Sequence, residues 1–154
     1  MSCNKPIIAR MTYEMLDGVC DVERRSFSLP WSRQSFAGEL KNKCSVYFTA
    51  SVNGKITGYA GMHIALDEAD ITNIAVAPAH RKKGIAQQLL DALVNECRAH
   101  GVRVLHLDVR ESNCAALSLY EKNGFVRDGL RKNYYSDTRE AAILMSKTII
   151  GCEV

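Results

Sequence analysis

Asp108, Asn113 and Tyr120 are side chains whose types and spacing suit proton transfer or ligand binding. Asp108 lies near the end of a predicted strand, on the same face as Val104. If that face were partly buried, burial would disfavour the charged carboxylate and make Asp108 a better base near neutral pH. The alternative is a strand-end aspartate that bonds the following loop or pairs with Arg110.

The residues after Asp108 predict a helix that carries Asn113 and Tyr120 on one face, because positions seven apart superpose in an α-helix. Asn113 is also suited to cap the start of this helix. Without further context, a tyrosine at this place is a core residue with a satisfied hydroxyl. The helical pattern therefore leaves the role of Tyr120 open.

A second candidate site is the basic turn from Arg81 to Gly84, which lies between a predicted strand and a predicted helix. The turn combines three cations and an unhindered glycine with the first N–H groups of a helix, which have no partners within the helix. Such a place attracts phosphate oxygens through free N–H groups, the helix dipole and nearby charge. The alternative is a solvated basic helix start.

The sequence motif of this turn favours ligand binding. RKKGIA fits R-x-x-G-x-A, without the double glycine of a Rossmann turn or the Gly-Lys-Ser/Thr of a P-loop. It resembles the acetyl-CoA pyrophosphate loop of the GNAT superfamily of N-acetyltransferases. The resemblance implies that loop N–H groups hold the pyrophosphate and that the preceding strand pairs with the pantetheine arm. The residues implied are Ile74, Ala75, Val76, Arg81, Lys82, Lys83, Gly84, Ile85, Ala86 and Gln87.

The block LHLDVRESNCAALSLYEKNGF resembles GNAT members that acetylate protein N-termini, whose pattern is V-R-x-S-N-x-x-A-x-x-L-Y-E-x-x-G-F. By resemblance, Asn113 contacts CoA, and Tyr120 binds CoA and protonates its departing thiolate. Asp108 holds the position of the base, which is glutamate in the best-known members. One methylene fewer shortens the reach and calls for a bridging water. The implied substrate is the N-terminal alanine of small-subunit ribosomal protein eighteen, acetylated by direct attack.

Five residues are predicted to bind the substrate: Phe27, Trp31, Glu68, Tyr134 and Tyr135. Phe27 and Trp31 lie in a loop broken by a proline, and their alternative role is a hydrophobic plug over the core. The resemblance assigns the tyrosine pair to the first residues of a peptide, and the alternative is cross-strand aromatic packing. Glu68, in a predicted acidic turn from Asp67 to Asp70, is suited to attract a basic substrate.

The elements that must position these residues follow from periodicity and turn signals. Strands are predicted at 7–10, 46–52, 55–64, 71–76, 102–109, 125–135 and 140–148, with an Asn53-Gly54 hairpin turn. Helices are predicted to start at the N-caps Thr12 and Ser32, after the basic turn, and near Asn113. The GNAT resemblance implies an α/β (α+β) fold with a central mixed, mostly antiparallel sheet of about seven strands flanked by about four helices.

The composition sets broad limits. At 154 residues and 17.1 kDa, the chain is expected to form one N-acetyltransferase domain spanning 1–154. A net charge of +3 gives weak support for an anionic ligand and does not argue for nucleic acid. The six cysteines lack C-x-x-C pairs and zinc-spaced histidines, so they predict reduced thiols in a cytoplasmic protein and no metal site. No signal peptide or membrane span is predicted, and a monomer is compatible with the sequence.

Several functions stay open at this point. The resemblance favours an enzyme that takes acetyl-CoA as acetyl donor and a protein N-terminus, that of a ribosomal protein, as acceptor. A lysine or small-amine acetyltransferase and a non-catalytic acetyl-CoA sensor are the alternatives. A covalent mechanism through Cys114, which lies near a helix start, lacks an evident histidine partner.

Overall fold

The structure of the protein, a computed structural model, describes residues 5–149. Within this range seven strands form one sheet with four α-helices packed around it. The strands are β1 (Ile7–Arg10), β2 (Ser45–Val52), β3 (Lys55–Ala65), β4 (Glu68–Val76), β5 (Val104–Arg110), β6 (Val126–Arg131) and β7 (Ala142–Thr148). The helices are α1 (Leu16–Ser26), α2 (Arg33–Lys41), α3 (Ile85–Ala99) and α4 (Cys114–Lys122).

Local sequence signals account for most of the element ends. Asn53 and Gly54 both have positive φ, at 53° and 80°, which suits a two-residue hairpin turn between β2 and β3. The Ser32 hydroxyl caps α2 by accepting a hydrogen bond from the Ser35 N–H at 3.1 Å. Gly101, with φ of 71°, follows the end of α3 as predicted.

Thr12 holds the predicted N-cap position, but of a 3-10 turn rather than of the α-helix. A 3-10 turn from Tyr13 to Met15 intervenes, and α1 begins at Leu16. The Thr12 side chain makes no capping hydrogen bond, while its main-chain oxygen accepts from the Met15 N–H at 3.1 Å. The chain therefore enters α1 through a tighter turn that satisfies the backbone locally.

The sheet order is β1-β2-β3-β4-β5-β7-β6, and every neighbouring pair is antiparallel except β4 and β5. The parallel pairing of β4 with β5 extends over three residue pairs and ends at Asp70 and His106. Thr72 then forms a β-bulge against β3, because Gly61 pairs with Asn73 and Met62 with Ile71. Beyond the three pairs the two strands separate, and a cleft opens between their C-terminal halves.

Two regions near this seam differ from the predictions. Glu68 to Asp70 belong to β4 rather than to an acidic turn, because they bond to strands on both sides. The turn lies one step earlier, where Leu66 adopts a φ of 57°. Near the other end of the chain, β6 stops at Arg131, and residues 132–141 form a loop in place of the predicted strand ends.

The sheet is covered on both faces. One face packs against α3 through fully buried leucines such as Leu89, Leu90 and Leu93, each worth roughly 1.5–3 kcal/mol in burial. The other face packs against α1 and α2 through a second cluster that contains Phe36 and Tyr59. None of the helices in residues 5–149 is both long and apolar enough to cross a membrane.

Candidate active site

A cavity of about 340 Å³ occupies the cleft between the separated halves of β4 and β5. Residues from α1, the α1–α2 loop, both strands, α4 and the 132–141 loop form its walls. Seven of the predicted site residues line it: Phe27, Trp31, Ile74, Asp108, Asn113, Tyr120 and Tyr135. The fold thus brings together side chains that are up to about a hundred residues apart in sequence.

The basic loop, residues 81–87, connects the end of β4 to α3. Lys82 and Gly84 both have positive φ, at 62° and 80°, and the turn opens directly into α3. Within the described part of the chain, the six main-chain N–H groups from Lys82 to Gln87 donate to no protein acceptor. Consecutive N–H groups in such a turn, at the positive end of a fifteen-residue helix, form a site for an anion such as a diphosphate.

Two side chains of the basic loop are used to hold the loop in place. Arg81 donates from Nε to the carbonyl oxygen of Val76 at 3.0 Å, which ties the loop to the end of β4. Gln87 pairs its amide with that of Asn123 through two hydrogen bonds of 2.8 Å each, and it also bonds Asp91. These contacts leave the Gln87 N–H, rather than its side chain, for a ligand.

The stretch Ile74–Val76 of β4 has one occupied edge and one open edge. Its residues pair with Ala60, Tyr59 and Gly58 of β3. On the other side, the registered pairing with β5 has already ended. Apart from the Val76 carbonyl oxygen, which accepts from Arg81, the main-chain groups on this edge can therefore bond an extended ligand, as a sheet edge bonds an added strand.

Asn113 and Tyr120 lie at the start and near the end of α4. Asn113 caps the helix, since its Oδ1 accepts a hydrogen bond from the Ala116 N–H at 3.2 Å. Tyr120 is buried, with its ring 5.4 Å from that of Phe125. Burial, with a smaller contribution from Tyr135, raises the pKa of Tyr120 above its ordinary value. The phenol therefore stays protonated, and no group in residues 5–149 bonds its hydroxyl.

Asp108 lies on the predicted face of β5, but its side chain is exposed. The burial that would have strengthened it as a base is therefore absent. It does not pair with Arg110; instead its Oδ2 accepts a hydrogen bond from the Tyr134 hydroxyl at 2.9 Å. That bond, together with the charge of Asp108, raises the pKa of Tyr134. Oδ1 of Asp108 accepts no bond from residues 5–149, so it remains available as a proton acceptor.

Arg110 fixes the 132–141 loop against the cleft. It donates two hydrogen bonds of 2.9 Å to the Asp137 carboxylate, and its guanidinium lies 4.1 Å from the centre of the Tyr135 ring. Asp137 also accepts from the Ser28 hydroxyl at 2.9 Å, which joins this loop to the α1–α2 loop. The Arg110 bonds, followed by the Ser28 bond, lower the pKa of Asp137 to about 2. Burial is the main cause that raises the pKa of Tyr135 to about 12.

The aromatic rim, comprising Phe27, Trp31, Tyr134 and Tyr135, borders this end of the cleft. Phe27 and Trp31 also pack on the second core cluster, and Trp31 lies 5.4 Å from the Phe36 ring. They are therefore part of the core and part of the cleft wall at once. Tyr134 and Tyr135 lie in the loop, with ring centres 5.0 Å apart, rather than in paired strands.

Several predicted residues do not line this cavity: Ala75, Val76, Tyr134 and the basic loop adjoin the elements that form it, and two further candidates lie elsewhere. Glu68 is at the start of β4, where that strand still pairs with β5, and its Oε1 lies 2.6 Å from Nε2 of His106. The turn that was expected to bring it near a substrate is a strand, so Glu68 is outside the cleft. Cys114 is exposed on another side of α4 and does not line the cleft either. Cys3 and Cys152, which were predicted to be reduced, lie outside the described residues.

Glu23 was missed by the sequence analysis. Its side chain is 1% exposed, borders the cleft, and accepts hydrogen bonds from the Tyr59 hydroxyl and the Trp31 N–H. A signal was present, because Glu23 continues the buried stripe of α1 formed by Leu16 and Val19. A carboxylate at an interior helical position requires partners, which indicates a built polar site.

Comparisons with known proteins agree with this architecture. A family model described as the acetyltransferase (GNAT) family matches residues 16–125. The chain is 40% identical over 130 residues to the [ribosomal protein bS18]-alanine N-acetyltransferase of Escherichia coli K12, covering 83% of this chain and 87% of that protein. It is 39% identical over 132 residues to the protein of the same name from Haemophilus influenzae, with 82% and 87% covered.

Solved structures show the same relationship. The crystal structure of the ribosomal-protein-S18-alanine N-acetyltransferase from Escherichia coli superposes with a TM-score of 0.88 at 36% identity, covering 97% of each chain. Ard1 from Thermoplasma volcanium shares the fold, with a TM-score of 0.87 at 24% identity, covering 94% of this chain and 98% of that one. The cleft between two parted parallel strands, the basic loop and these matches lead to one conclusion: the chain belongs to the acetyltransferase (GNAT) family.

Proposed function

We propose that the protein transfers an acetyl group from acetyl-CoA to the α-amine of a protein, and that its substrate is the N-terminal alanine of ribosomal protein bS18. The observation that carries this proposal is the relationship, at 40% identity over most of both chains, to an enzyme of that name. Such a substrate places the reaction in the cytoplasm, where ribosomal proteins are made.

The residues of the cleft suit acetyl-CoA. The free N–H groups of the basic loop match the diphosphate in charge and in hydrogen-bonding type. The open edge of Ile74–Val76 can pair with the extended pantetheine arm and can also donate to the oxyanion that develops at the carbonyl. When bound, acetyl-CoA supplies an activated thioester, so the protein's task is to align the amine with it.

Asp108 and Tyr120 are the proton acceptor and donor of this proposal. An α-amine has a pKa of roughly 7.7–8.0, so a modest base suffices to free its lone pair. The amine attacks the thioester carbonyl, its proton passes to Oδ1 of Asp108 through a water molecule, and the C–S bond breaks. Tyr120 donates its hydroxyl proton to the leaving sulfur. Its raised pKa keeps that proton in place until the thiolate forms.

The rim of the cleft favours a peptide over a small amine. Phe27, Trp31 and Tyr135 line the cleft, and Tyr134 packs against Tyr135, which supports a groove for a peptide. Glu68, which was expected to add negative charge there, lies outside the cleft. Lysine and small-amine transfer therefore have less support than transfer to a protein N-terminus.

CoA release should be measured with two peptides: one that begins with the alanine of bS18, and the same peptide with its α-amine blocked and a lysine retained. We expect turnover on the free N-terminus alone. Turnover on the blocked peptide would make the protein a lysine acetyltransferase. Binding of acetyl-CoA without release from either peptide would make it a sensor.

Replacing Tyr120 with phenylalanine should lower kcat by about 10²–10⁴-fold, the usual contribution of a general acid. The KM for acetyl-CoA should change little, because the ring keeps its packing on Phe125. Asp108→Asn should lower kcat as well, because the proton of the attacking amine would lose its acceptor. Full activity in Asp108→Asn would assign the base to another group.

A further inference from the structure

A chain of polar groups runs beneath the cleft from α1 to β4. Nδ2 of Asn73 donates to the Tyr59 hydroxyl at 2.8 Å, and that hydroxyl donates to Oε1 of Glu23 at 2.5 Å. Oε2 of Glu23 accepts from the Trp31 N–H at 3.0 Å. The side chains of Glu23 and Tyr59 are buried, at 1% and 0% exposed. Glu23 and Asn73 are among the residues that line the cavity. A buried carboxyl group is thus linked to an amide at the cleft surface.

The direction of these hydrogen bonds is fixed by proton count. A phenol has one O–H group, and Tyr59 donates it in the hydrogen bond to Glu23, so the Tyr59 oxygen is an acceptor toward Asn73. Burial, followed by the charge of Glu23, raises the pKa of Tyr59 well above its ordinary value, so the phenol keeps its proton. The NH₂ group of Asn73 must therefore donate to Tyr59, and its Oδ1 remains available as an acceptor.

Asn73 lies where an acceptor can meet a substrate. It follows the Thr72 bulge and precedes Ile74, in the part of β4 that has separated from β5. No group in residues 5–149 donates to its Oδ1. Asp108 lies across the cleft on β5 and lines the same cavity. An incoming amine or peptide N–H between the two strands would find one acceptor on each side.

We propose that Glu23 is a positioning residue for the acetyl acceptor: through Tyr59 it holds Asn73 so that Oδ1 accepts a hydrogen bond from an N–H group at the incoming protein N-terminus. This inference rests on the function proposed above. Through the Trp31 N–H, the same carboxyl group also fixes the α1–α2 loop, so one buried side chain sets both the acceptor and part of the aromatic rim.

The Glu23→Gln variant tests the direction of the chain. The Trp31 N–H requires an oxygen, so the glutamine would turn its NH₂ group toward Tyr59. Tyr59 would then donate to Asn73, and Asn73 would turn its own NH₂ group toward the cleft. At the cleft, the Asn73 amide would then present a donor to the substrate instead of an acceptor, with no change in side-chain size. We expect the peptide KM to rise about tenfold, as for the loss of one hydrogen bond, with the acetyl-CoA KM within about twofold of wild type.

The double variant Glu23→Gln/Asn73→Asp provides the rescue. An aspartate accepts the reversed Tyr59 proton with one oxygen and offers the other to the cleft, so the peptide KM should fall back toward wild type. Asn73→Asp alone should bind peptide poorly, because Tyr59 would face two carboxylates. If Glu23 had only a structural role, adding Asn73→Asp would not restore peptide binding to the Glu23→Gln variant.

Controls separate this inference from loss of folding. Thr57→Val removes a buried hydroxyl that bonds the Ala50 carbonyl oxygen at 3.3 Å and does not line the cleft, and it should lower Tm without changing peptide binding. Because Trp31 is the single tryptophan and borders the cleft, its fluorescence reports peptide binding independently of turnover.

The KM values of these variants test the role proposed for Glu23 and separate it from the proposed function. Unchanged peptide KM in folded Glu23→Gln, or no rescue in the double variant, would overturn the inference. A rise in the acetyl-CoA KM instead of the peptide KM would assign the Asn73 oxygen to an amide of the pantetheine arm and would overturn it too. If the wild-type protein does not acetylate the free N-terminal peptide, the proposed function fails, and the inference fails with it.

Discussion

The basic loop and the aromatic rim are built in different ways. The basic loop offers main-chain N–H groups from six consecutive residues, and its shape depends on left-handed conformations at Lys82 and Gly84. The aromatic rim offers side chains from two loops more than a hundred residues apart, joined by the bond between Ser28 and Asp137. One site depends on local backbone geometry and the other on tertiary contacts.

This difference has a direct consequence for substitutions. Backbone donors are unaffected by most side-chain changes but are lost when the φ angles change. A rim held by side chains should be sensitive to the contacts that anchor it, even when those contacts lie behind the surface that meets the ligand. Substitutions in the basic loop should therefore affect acetyl-CoA, and substitutions that loosen the aromatic rim should affect the peptide.

Gly84→Val should raise the KM for acetyl-CoA about thirtyfold, because a β-branched residue at φ of 80° costs about 1–3 kcal/mol and the loop would relax away from its present shape. Lys83→Ala should raise it only about threefold, as for one exposed charge. Steady-state assays would give both KM values, and calorimetric titration with acetyl-CoA would give the corresponding Kd values.

Gly101→Val is the matched control for this strain. Gly101 has a similar φ of 71° and, like Gly84, has open space where a Cβ atom would lie, but it is at the far end of α3. The substitution should lower Tm and leave the acetyl-CoA KM unchanged. A larger effect from Lys83→Ala than from Gly84→Val would show that side-chain charge, rather than backbone geometry, binds the diphosphate.

Arg110→Gln should raise the peptide KM about tenfold and leave the acetyl-CoA KM within about twofold of wild type. Glutamine cannot reproduce the paired bonds to Asp137 or the contact with the Tyr135 ring, so the 132–141 loop would lose its anchor. Arg127→Gln, which removes an exposed contact with Glu121, is the control and should change neither constant. Equal rises in both constants for Arg110→Gln would contradict the separate roles of the basic loop and the aromatic rim.

Acid should release the aromatic rim and leave the basic loop, whose donors do not titrate. Because the pKa of Asp137 is lowered from 3.8 to about 2, its bonds to Arg110 and Ser28 stabilise the loop fully above about pH 4 and are lost as the pH falls toward 2. An NMR titration of the Asp137 carboxyl carbon should show a midpoint near 2. In Arg110→Gln the midpoint should move up toward 3.8, and an ordinary midpoint in the wild type would contradict this anchor.

The parts of the fold that were predicted correctly are those fixed by local interactions. The Ser32 cap, the Asn53-Gly54 turn and the end of α3 at Gly101 each depend on residues a few positions apart. The antiparallel arrangement of β2, β3 and β4 also follows from short connections. The basic loop is local in the same sense, since its two positive-φ residues directly precede α3, whereas its binding of a diphosphate stays a prediction.

The errors occurred where tertiary contacts outweigh local preference. Glu68 and Asp70 look like turn residues in the sequence, yet pairing on both sides makes them part of a strand. Asp108 was expected to be partly buried, to bond the loop after its strand or to pair with Arg110, whereas a tyrosine from the distant 132–141 loop bonds it. Glu23 was overlooked because its partners, Tyr59 and the Trp31 N–H, are brought to it only by folding.

The three residue pairs that join β4 to β5 divide the sheet into two parts, β1–β4 and β5–β7. A ligand that bonds the open edges of both parts holds them at one separation. If acetyl-CoA and the peptide both prefer the same separation, each must increase the affinity of the other by the same factor, since coupling between two binding events is reciprocal. The narrow seam would then give cooperative binding of the two substrates without any dedicated regulatory site.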